Sequence, residues 1–360
     1  MITSIVVARR VVRRVVGRGG CGGRGRETCL PVVVAACVLV GCGLDRAERC
    51  ADVAVVAGDD RACQTPAWLD RAFDLHVPAG WDGATALPVV LLFHGGGASR
   101  ETSNRTTCPG GDEDSPRCFV AEAAARGYAV IVPDGTGGRP LRGVRAWNAG
   151  GGDGWQCVSG GACNADVDDR GYVGDVLAEV GRALPIDPHR RYATGISNGG
   201  AIAHRLGCEL TPALAAIAPV AGANQFADTG AACPAALPVL QVHGTADPCW
   251  EYQGGNRVCV GPDARKTSVA ATMEGWRIRN GCAATFVDTP VPDRDVTDGV
   301  TVIHRVWDGC AQATEHYRLD GGGHTWPGGY QYLGADEVGP VGRDLDSAAI
   351  LDFFDGHVAP

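Results

Sequence analysis

The chain has 360 residues, with 32 Lys+Arg, 41 Asp+Glu and 45% hydrophobic residues. This length fits one large α/β domain or two small ones, and the charged and apolar fractions exclude a disordered chain or a coiled coil. Residues 1–41 hold seven Arg and one acidic residue, so the remainder carries a net charge of about −15. Such a surface repels phosphate backbones, and nucleic acid is therefore not expected as a partner.

A basic stretch followed by an apolar run opens the chain. Four Arg between residues 9 and 14 precede the run 30–40, which is too short to span a bilayer as a helix and is typical of a secretory signal. The run ends in Leu-Val-Gly-Cys42, which resembles the bacterial lipobox, where the Cys becomes the lipidated first residue. We therefore predict a lipoprotein-type signal segment at 1–41 and a membrane anchor at Cys42, with cleavage without lipidation or an uncleaved anchor as alternatives. The protein is expected to be extracytoplasmic, either membrane-anchored or secreted.

The cysteine count agrees with export. Three of the 16 Cys fall in the signal segment and Cys42 is assigned to lipid, which leaves 12. They lack the paired CxxC spacing of a zinc site, so we expect up to six disulfides, with free thiols in a cytosolic enzyme as the alternative. Sequential neighbours would pair as Cys50/Cys63, Cys108/Cys118, Cys157/Cys163, Cys208/Cys233, Cys249/Cys259 and Cys282/Cys310.

Beyond residue 60 there is no internal repeat and no low-complexity linker. Residues 42–64 are predicted to be a short tether and residues 65–360 one catalytic domain. Apolar strand candidates alternate with amphipathic stretches, which predicts the α/β class with a mostly parallel central sheet and helices on both faces. The predicted strands are 72–77, 89–93, 129–132, 191–194, 216–220, 239–243, 301–306 and 315–319. The predicted helices are 120–126, 172–184, 200–208, 268–279 and 344–355.

Two glycine-rich motifs follow strands of this sheet, where active sites of such folds lie. His94-Gly95-Gly96-Gly97 matches the HGGG-type loop, which makes Gly96 or Gly97 a candidate N–H donor to an oxyanion, with His94 shaping the loop. Gly195-Ile196-Ser197-Asn198-Gly199 carries G-x-S-x-G between a strand and a helix. The tight turn requires small residues two positions either side of the Ser, and it exposes the hydroxyl near a helix N-terminus. Ser197 is therefore the candidate nucleophile and the Asn198 N–H the second oxyanion donor.

A nucleophilic Ser needs a base and an acid that orients it, and in this fold both follow the Ser along the chain, each after a strand. Asp247 stands in the loop that leaves strand 239–243, and His324 lies in a Gly-rich loop after the last predicted strand. We therefore assign His324 as base and Asp247 as acid, with Asp288 and Asp308 as competing acids. The other His after Ser197, including His243, are interpreted as structural.

The chain resembles the secreted polyhydroxybutyrate depolymerase and feruloyl esterase group of α/β-hydrolases. The matching segments are 89–97, 132–135, 147–148, 167–172, 186–188, 194–200, 243–248 and 323–328. The resemblance implies the triad Ser197, Asp247 and His324, no metal and no organic cofactor, and an ester substrate. It also suggests that Trp147, Trp155 and Trp326 line the substrate pocket, unless they only pack in the core.

These observations predict an exported serine esterase that works through an acyl-enzyme, of the polyhydroxybutyrate depolymerase type and acting on hydroxyalkanoate oligomers. The alternative substrate class is the feruloyl or acetyl esters of plant cell-wall polysaccharides. Two further alternatives are a peptidase of the same fold and a catalytically silent binding protein at the cell surface. No motif reports the acyl group, the alcohol or the oligomeric state.

Overall fold

Four strands whose every residue is buried form the centre of the molecule. Three of them are continuous apolar runs, and the fourth, Val239–Gly244, is interrupted by Gln241 and His243; burial of every residue is typical of parallel strands covered on both faces. The structure is a computed structural model that describes residues 48–137, 144–151, 157, 161–210, 214–257, 259 and 265–360. The described residues belong to one compact unit.

Twelve strands are present in the described part of the chain. Their bounds are β1 Asp60–Gln64, β2 Ala72–His76, β3 Leu87–Phe93, β4 Ala129–Pro133, β5 Thr136–Gly137, β6 Arg145–Ala146, β7 Ile186–Ile196, β8 Ala216–Val220, β9 Val239–Gly244, β10 Phe286–Pro290, β11 Thr301–Trp307 and β12 Thr314–Asp320. Ten of them form one sheet in the order β1-β2-β4-β3-β7-β8-β9-β12-β11-β10, and β5 pairs with β6. The strands from β4 to β12 in this order are parallel, while β1, β2, β10 and β11 add antiparallel edges.

Eight α-helices are described. Their bounds are α1 Arg100–Thr107, α2 Phe119–Ala125, α3 Asp169–Ala183, α4 Asn198–Glu209, α5 Gln225–Asp228, α6 Val269–Arg279, α7 Ala335–Val338 and α8 Ser347–Asp355. The buried apolar side chains form two cores. One core contains side chains of α3, α4 and α6, and the other contains side chains of α2 and α8. Each fully buried Leu, Ile or Phe in these layers contributes about 1.5–3 kcal/mol.

The predicted fold class is confirmed, and each predicted strand and helix is present. The sequence pattern missed β1 and β10 because edge strands do not need a buried face: all five residues of β10 are exposed. Helix α8 begins at Ser347 instead of residue 344, because the Asp346 carboxylate caps it by accepting from the Ala348 N–H.

All six predicted disulfides are confirmed, in the predicted pairing. This number of disulfides indicates an oxidising compartment outside the cytoplasm. Within the predicted tether 42–64, Cys50 pairs with Cys63 and residues 60–64 form β1. The predicted signal segment and Cys42 lie outside the described residues. Among the described helices, none combines the length and the apolar composition that crossing a bilayer requires.

Candidate active site

Ser197 lies in the turn between β7 and α4, with a left-handed backbone at φ 59° and ψ −122°. Such a conformation is strained for a non-glycine residue and is held by the surrounding structure. A Cβ on Gly195 or Gly199 would come within 2.5 Å or 2.2 Å of the Phe93 carbonyl oxygen. The close approach of the HGGG loop to the turn therefore explains both glycines of the G-x-S-x-G motif.

His94 fixes the loop after β3. Its Nε2 accepts from the Gly135 N–H at 2.9 Å, so its Nδ1 carries the proton and donates to the Gly95 carbonyl at 2.7 Å. Burial lowers the pKa of His94 to about 3, which keeps the ring neutral. These contacts agree with a loop-shaping residue and leave no lone pair for a base.

The two candidate glycine donors differ in the structure. The Gly97 N–H donates to the Arg145 carbonyl at 2.8 Å, in a turn where Gly97 has φ 82°. This hydrogen bond takes Gly97 out of the predicted oxyanion hole, because its N–H is already used. Gly96 and Asn198 remain as candidates, and the Asn198 N–H, in the first turn of α4, has no partner within the helix.

The side chain of Asn198 has a second contact that the sequence did not indicate. Its Oδ1 accepts from the Trp147 N–H at 2.7 Å and its Nδ2 donates to the Trp147 carbonyl at 3.1 Å. The paired hydrogen bonds tie the start of α4 to the segment after β6. The Asn198 side chain therefore holds the segment after β6 against the start of α4, next to Ser197.

The structure brings the predicted acid and base together. His324 Nδ1 lies 2.7 Å from Asp247 Oδ2, and both side chains are buried. Asp247 Oδ1 accepts from the N–H groups of Cys249 and Trp250 at 2.8 and 2.7 Å. Burial by itself raises the pKa of Asp247, but the His324 charge and the hydrogen bonds outweigh burial and hold this pKa well below its ordinary value. A charged Asp247 therefore fixes the His324 tautomer, with Nε2 left as the basic nitrogen.

His243 is a further neighbour of this carboxylate. Its Nε2 lies 3.2 Å from Asp247 Oδ2 and 2.8 Å from the Trp250 carbonyl, and its Nδ1 lies 3.3 Å from Gln241 Nε2. Two acceptors at Nε2 require that nitrogen to carry the proton. Sequence reasoning assigned His243 a purely structural role; the signal it overlooked is the four-residue spacing to Asp247 across the end of β9.

The competing acids lie elsewhere. Asp288 forms a two-point ion pair with Arg305 between β10 and β11, and Asp308 lies in the turn that follows β11. Neither is hydrogen-bonded to His324 in the described structure.

One group of metal-ligand side chains occurs among the described residues: Asp247, Cys249 and His324, whose ligand atoms lie within 4.8 Å of one another. Cys249 is bonded to Cys259 and offers no thiolate. The other two are already joined by their hydrogen bond, so the donor set does not fit a metal ion.

Two of the three tryptophans predicted to line the substrate pocket, Trp147 and Trp326, are buried in the core instead. Trp326 and Trp147 are 0% and 1% exposed. Trp326 donates to Ser347 Oγ at 3.1 Å, and Trp147 Nε1 donates to the His94 carbonyl at 3.0 Å. Both therefore pack in the core because their apolar rings and their N–H groups are satisfied there. Trp155 lies outside the described residues.

Several known proteins with similar sequences are named as esterases. No protein-family model matches the chain. Feruloyl esterase B of Piromyces equi is 30% identical over 57% of this chain, and the match spans about a third, 34%, of that protein. NocK of Nocardia uniformis subsp. tsuyamanensis, named as an esterase, is 28% identical over 79% of each chain. A bifunctional acetylxylan esterase/xylanase of Neocallimastix patriciarum is 23% identical over 70% of this chain and 31% of its own length.

Among solved structures, the acetyl xylan esterase from Aspergillus awamori superposes with a TM-score of 0.46 at 13% identity, covering 79% of this chain and 94% of that chain. The names of these relatives support the feruloyl esterase part of the resemblance, and none of the three is named as a polyhydroxybutyrate depolymerase. By its sequence relatives the chain is similar to feruloyl and acetylxylan esterases, and its mostly parallel sheet and the order of its motifs agree with the α/β-hydrolase fold class.

Proposed function

We propose that the protein is an exported serine esterase that hydrolyses feruloyl or acetyl esters of plant cell-wall polysaccharides. The observation that carries the proposal is the buried 2.7 Å hydrogen bond between His324 and Asp247, in a chain whose G-x-S-x-G turn presents Ser197 in a strained conformation. The names of the relatives supply the substrate class.

The proposed reaction has two steps. His324 Nε2 takes the Ser197 hydroxyl proton as Oγ attacks the ester carbonyl, and Asp247 stabilises the resulting imidazolium. The N–H groups of Asn198 and Gly96 stabilise the oxyanion, and His324 returns the proton to the leaving alcohol. Water, deprotonated by His324, then releases the acid and restores the Ser197 hydroxyl.

The test is a rate panel on the full chain, exported into an oxidising compartment of the expression host. Methyl ferulate, acetylated xylan, hydroxybutyrate oligomers and short p-nitrophenyl esters are compared, with Ser197→Ala as the blank. We expect ferulate or acetylxylan to be preferred, and Ser197→Ala to lose nearly all turnover, since the residual rate of triad variants is small.

Two outcomes separate the alternatives. A preference for hydroxybutyrate oligomers assigns the protein to depolymerase chemistry instead. Absence of turnover together with absence of fluorophosphonate labelling at Ser197 identifies a silent binding protein, whereas labelling at Ser197 that Ser197→Ala abolishes supports the esterase.

The signal segment and the lipid at Cys42 form part of the same proposal. We expect the wild-type chain to partition into detergent and Cys42→Ala to remain in the aqueous phase. Mass spectrometry of the mature N-terminus gives the direct measurement: a diacylglyceryl-modified Cys42 supports the anchor, and an unmodified N-terminus refutes it.

A further inference from the structure

A cleft of about 600 Å³ lies between α6 and the antiparallel edge of the sheet. The cleft is lined by residues of strands β10, β11 and β12, by Met273 of α6, and by Thr245 and Tyr252 of the segment after β9. This volume lies in the range of small-molecule sites. The Thr245 end adjoins the loop that carries Asp247, two residues further on.

Three aromatic side chains line this cleft, namely the exposed Phe286 and the half-buried Trp307 and Tyr252. Phe286 is 41% exposed, on a strand with no buried residue, and its ring packs edge-on against Trp307 with centroids 5.8 Å apart. The Arg305 guanidinium lies 3.5 Å from the centre of the Phe286 ring and holds it in place. Tyr252 is anchored by its hydroxyl, 2.8 Å from His316 Nε2. Fixed aromatic faces of this kind pack against the apolar faces of sugar rings at low entropic cost.

The charges of the cleft are paired. Three Arg line it, and each meets a carboxylate through two hydrogen bonds: Arg277 with Glu274, Arg305 with Asp288, and Arg318 with Asp320. The cleft is therefore close to neutral, which disfavours an anionic ligand. Planar guanidinium–carboxylate pairs present N–H donors beside oxygen acceptors, and vicinal hydroxyl groups can use both at once.

We propose that this cleft binds a neutral oligosaccharide, namely a stretch of the polysaccharide backbone whose esters are hydrolysed at Ser197. The proposal rests on the proposed function for the identity of the polysaccharide. Aromatic rings supply the stacking surface and the paired Arg and carboxylate side chains supply the hydroxyl contacts. Binding there holds the polymer to the enzyme while the ester enters the site.

The experiment measures binding without catalysis. Full-length Ser197→Ala protein is titrated calorimetrically with ester-free xylohexaose, with cellohexaose and oligogalacturonate as comparison ligands. We expect binding of a neutral hexaose, at least tenfold weaker once Trp307→Ala is added. Phe286→Ala is the second variant, since its ring is exposed and its removal costs little packing. Leu69→Ala, another exposed apolar residue at 64% exposure, is the matched control and should bind as the parent does.

Thermal unfolding of each variant establishes that it folds, and Phe286→Ala decides the question should Trp307→Ala fail to fold. Undiminished hexaose affinity in the folded cleft variants overturns the proposal, as does absence of binding or a preference for the anionic oligogalacturonate. Because the parent is inactive, these results are independent of turnover. Wild-type protein without esterase activity would refute the proposed function while leaving a measured hexaose affinity intact, and an active esterase with no hexaose binding would refute only the cleft.

Discussion

Both oxygen atoms of the buried Asp247 carboxylate have hydrogen-bond partners. Two backbone N–H groups bind Oδ1, and the rings of His324 and His243 face Oδ2. A buried carboxylate without such partners would take up a proton and lose its ability to orient a base. The depressed pKa of Asp247 is thus the sum of contacts from three chain segments.

Removing the His243 contact should leave Asp247, and through it the His324 ring, less firmly positioned without displacing substrate. For His243→Leu we expect kcat to fall about ten- to a hundredfold with KM nearly unchanged, since one hydrogen bond to a charged group is worth about 1.5–3 kcal/mol. The acid limb of the pH–rate profile should move to higher pH, because a carboxylate with one donor fewer stabilises the imidazolium more strongly. His243→Gln keeps an N–H donor and should restore most of the rate. If the pH–rate profile of His243→Leu is not shifted, His243 only packs in the core and does not position the catalytic pair.

The order of Ser197, Asp247 and His324 was predictable because each follows a strand, and strand ends meet at one edge of the sheet. The contacts of His243 and the Asn198 side chain, and the loss of the Gly97 N–H to Arg145, were not predictable. They depend on how separate segments meet in space, which spacing along the chain does not encode.

At the scale of elements, the turn from β7 to α4 and the loop after β3 fit only because glycines let their backbones touch. A Cβ on Gly199 would lie 2.2 Å from the Phe93 carbonyl oxygen and 2.6 Å from that of His94. Neither oxygen can retreat, since one belongs to the end of β3 and the other accepts from Trp147.

Gly199→Ala should therefore be severely destabilising or should displace the Ser197 turn, with loss of esterase activity. Gly174→Ala is the matched control, because Gly174 lies inside α3 and no atom lies within 4 Å of its added Cβ. That substitution should raise the free energy of unfolding by about 0.5–1 kcal/mol, since Ala is the better helix former. Denaturant unfolding and rate measurements on both variants check this; equal behaviour of the pair would contradict the steric account.

Elements with a buried face were the ones that the sequence made predictable. β3, β4 and β8 are apolar throughout, β9 is buried at every residue, α3 buries one side and α4 is buried at most of its residues, so the apolar pattern identified each of them. The exposed edge strand β10 and the one-turn helices α5 and α7 leave no such pattern. Their positions follow from hydrogen bonding to neighbours that are distant in sequence.

For the molecule as a whole, three neutral histidines buried in its core connect stability to pH. His94, His204 and His316 each use one ring nitrogen as an acceptor, from the Gly135 N–H, the Trp276 indole N–H and the Tyr252 hydroxyl respectively. Protonation would turn each acceptor into a second donor, which in His94 and His204 would face an N–H group. Burial lowers the pKa of all three from 6.5 to about 3.

Because these pKa values are lower in the folded chain, the unfolded chain binds more protons between about pH 3 and 6.5. The stability that these histidines contribute should therefore be complete above pH 6.5. As the pH drops, the free energy of unfolding should fall by up to about 1.4 kcal/mol per pH unit for each histidine. Urea unfolding at pH 7, 6 and 5 measures how the free energy of unfolding changes with pH. This range lies above the pH at which most carboxylates titrate. His204→Gln should make the slope of the unfolding free energy against pH shallower, by up to the amount that corresponds to one bound proton. His189→Gln, at an exposed histidine, is the control. A His204→Gln slope as steep as that of the wild type would show that acid acts through other groups.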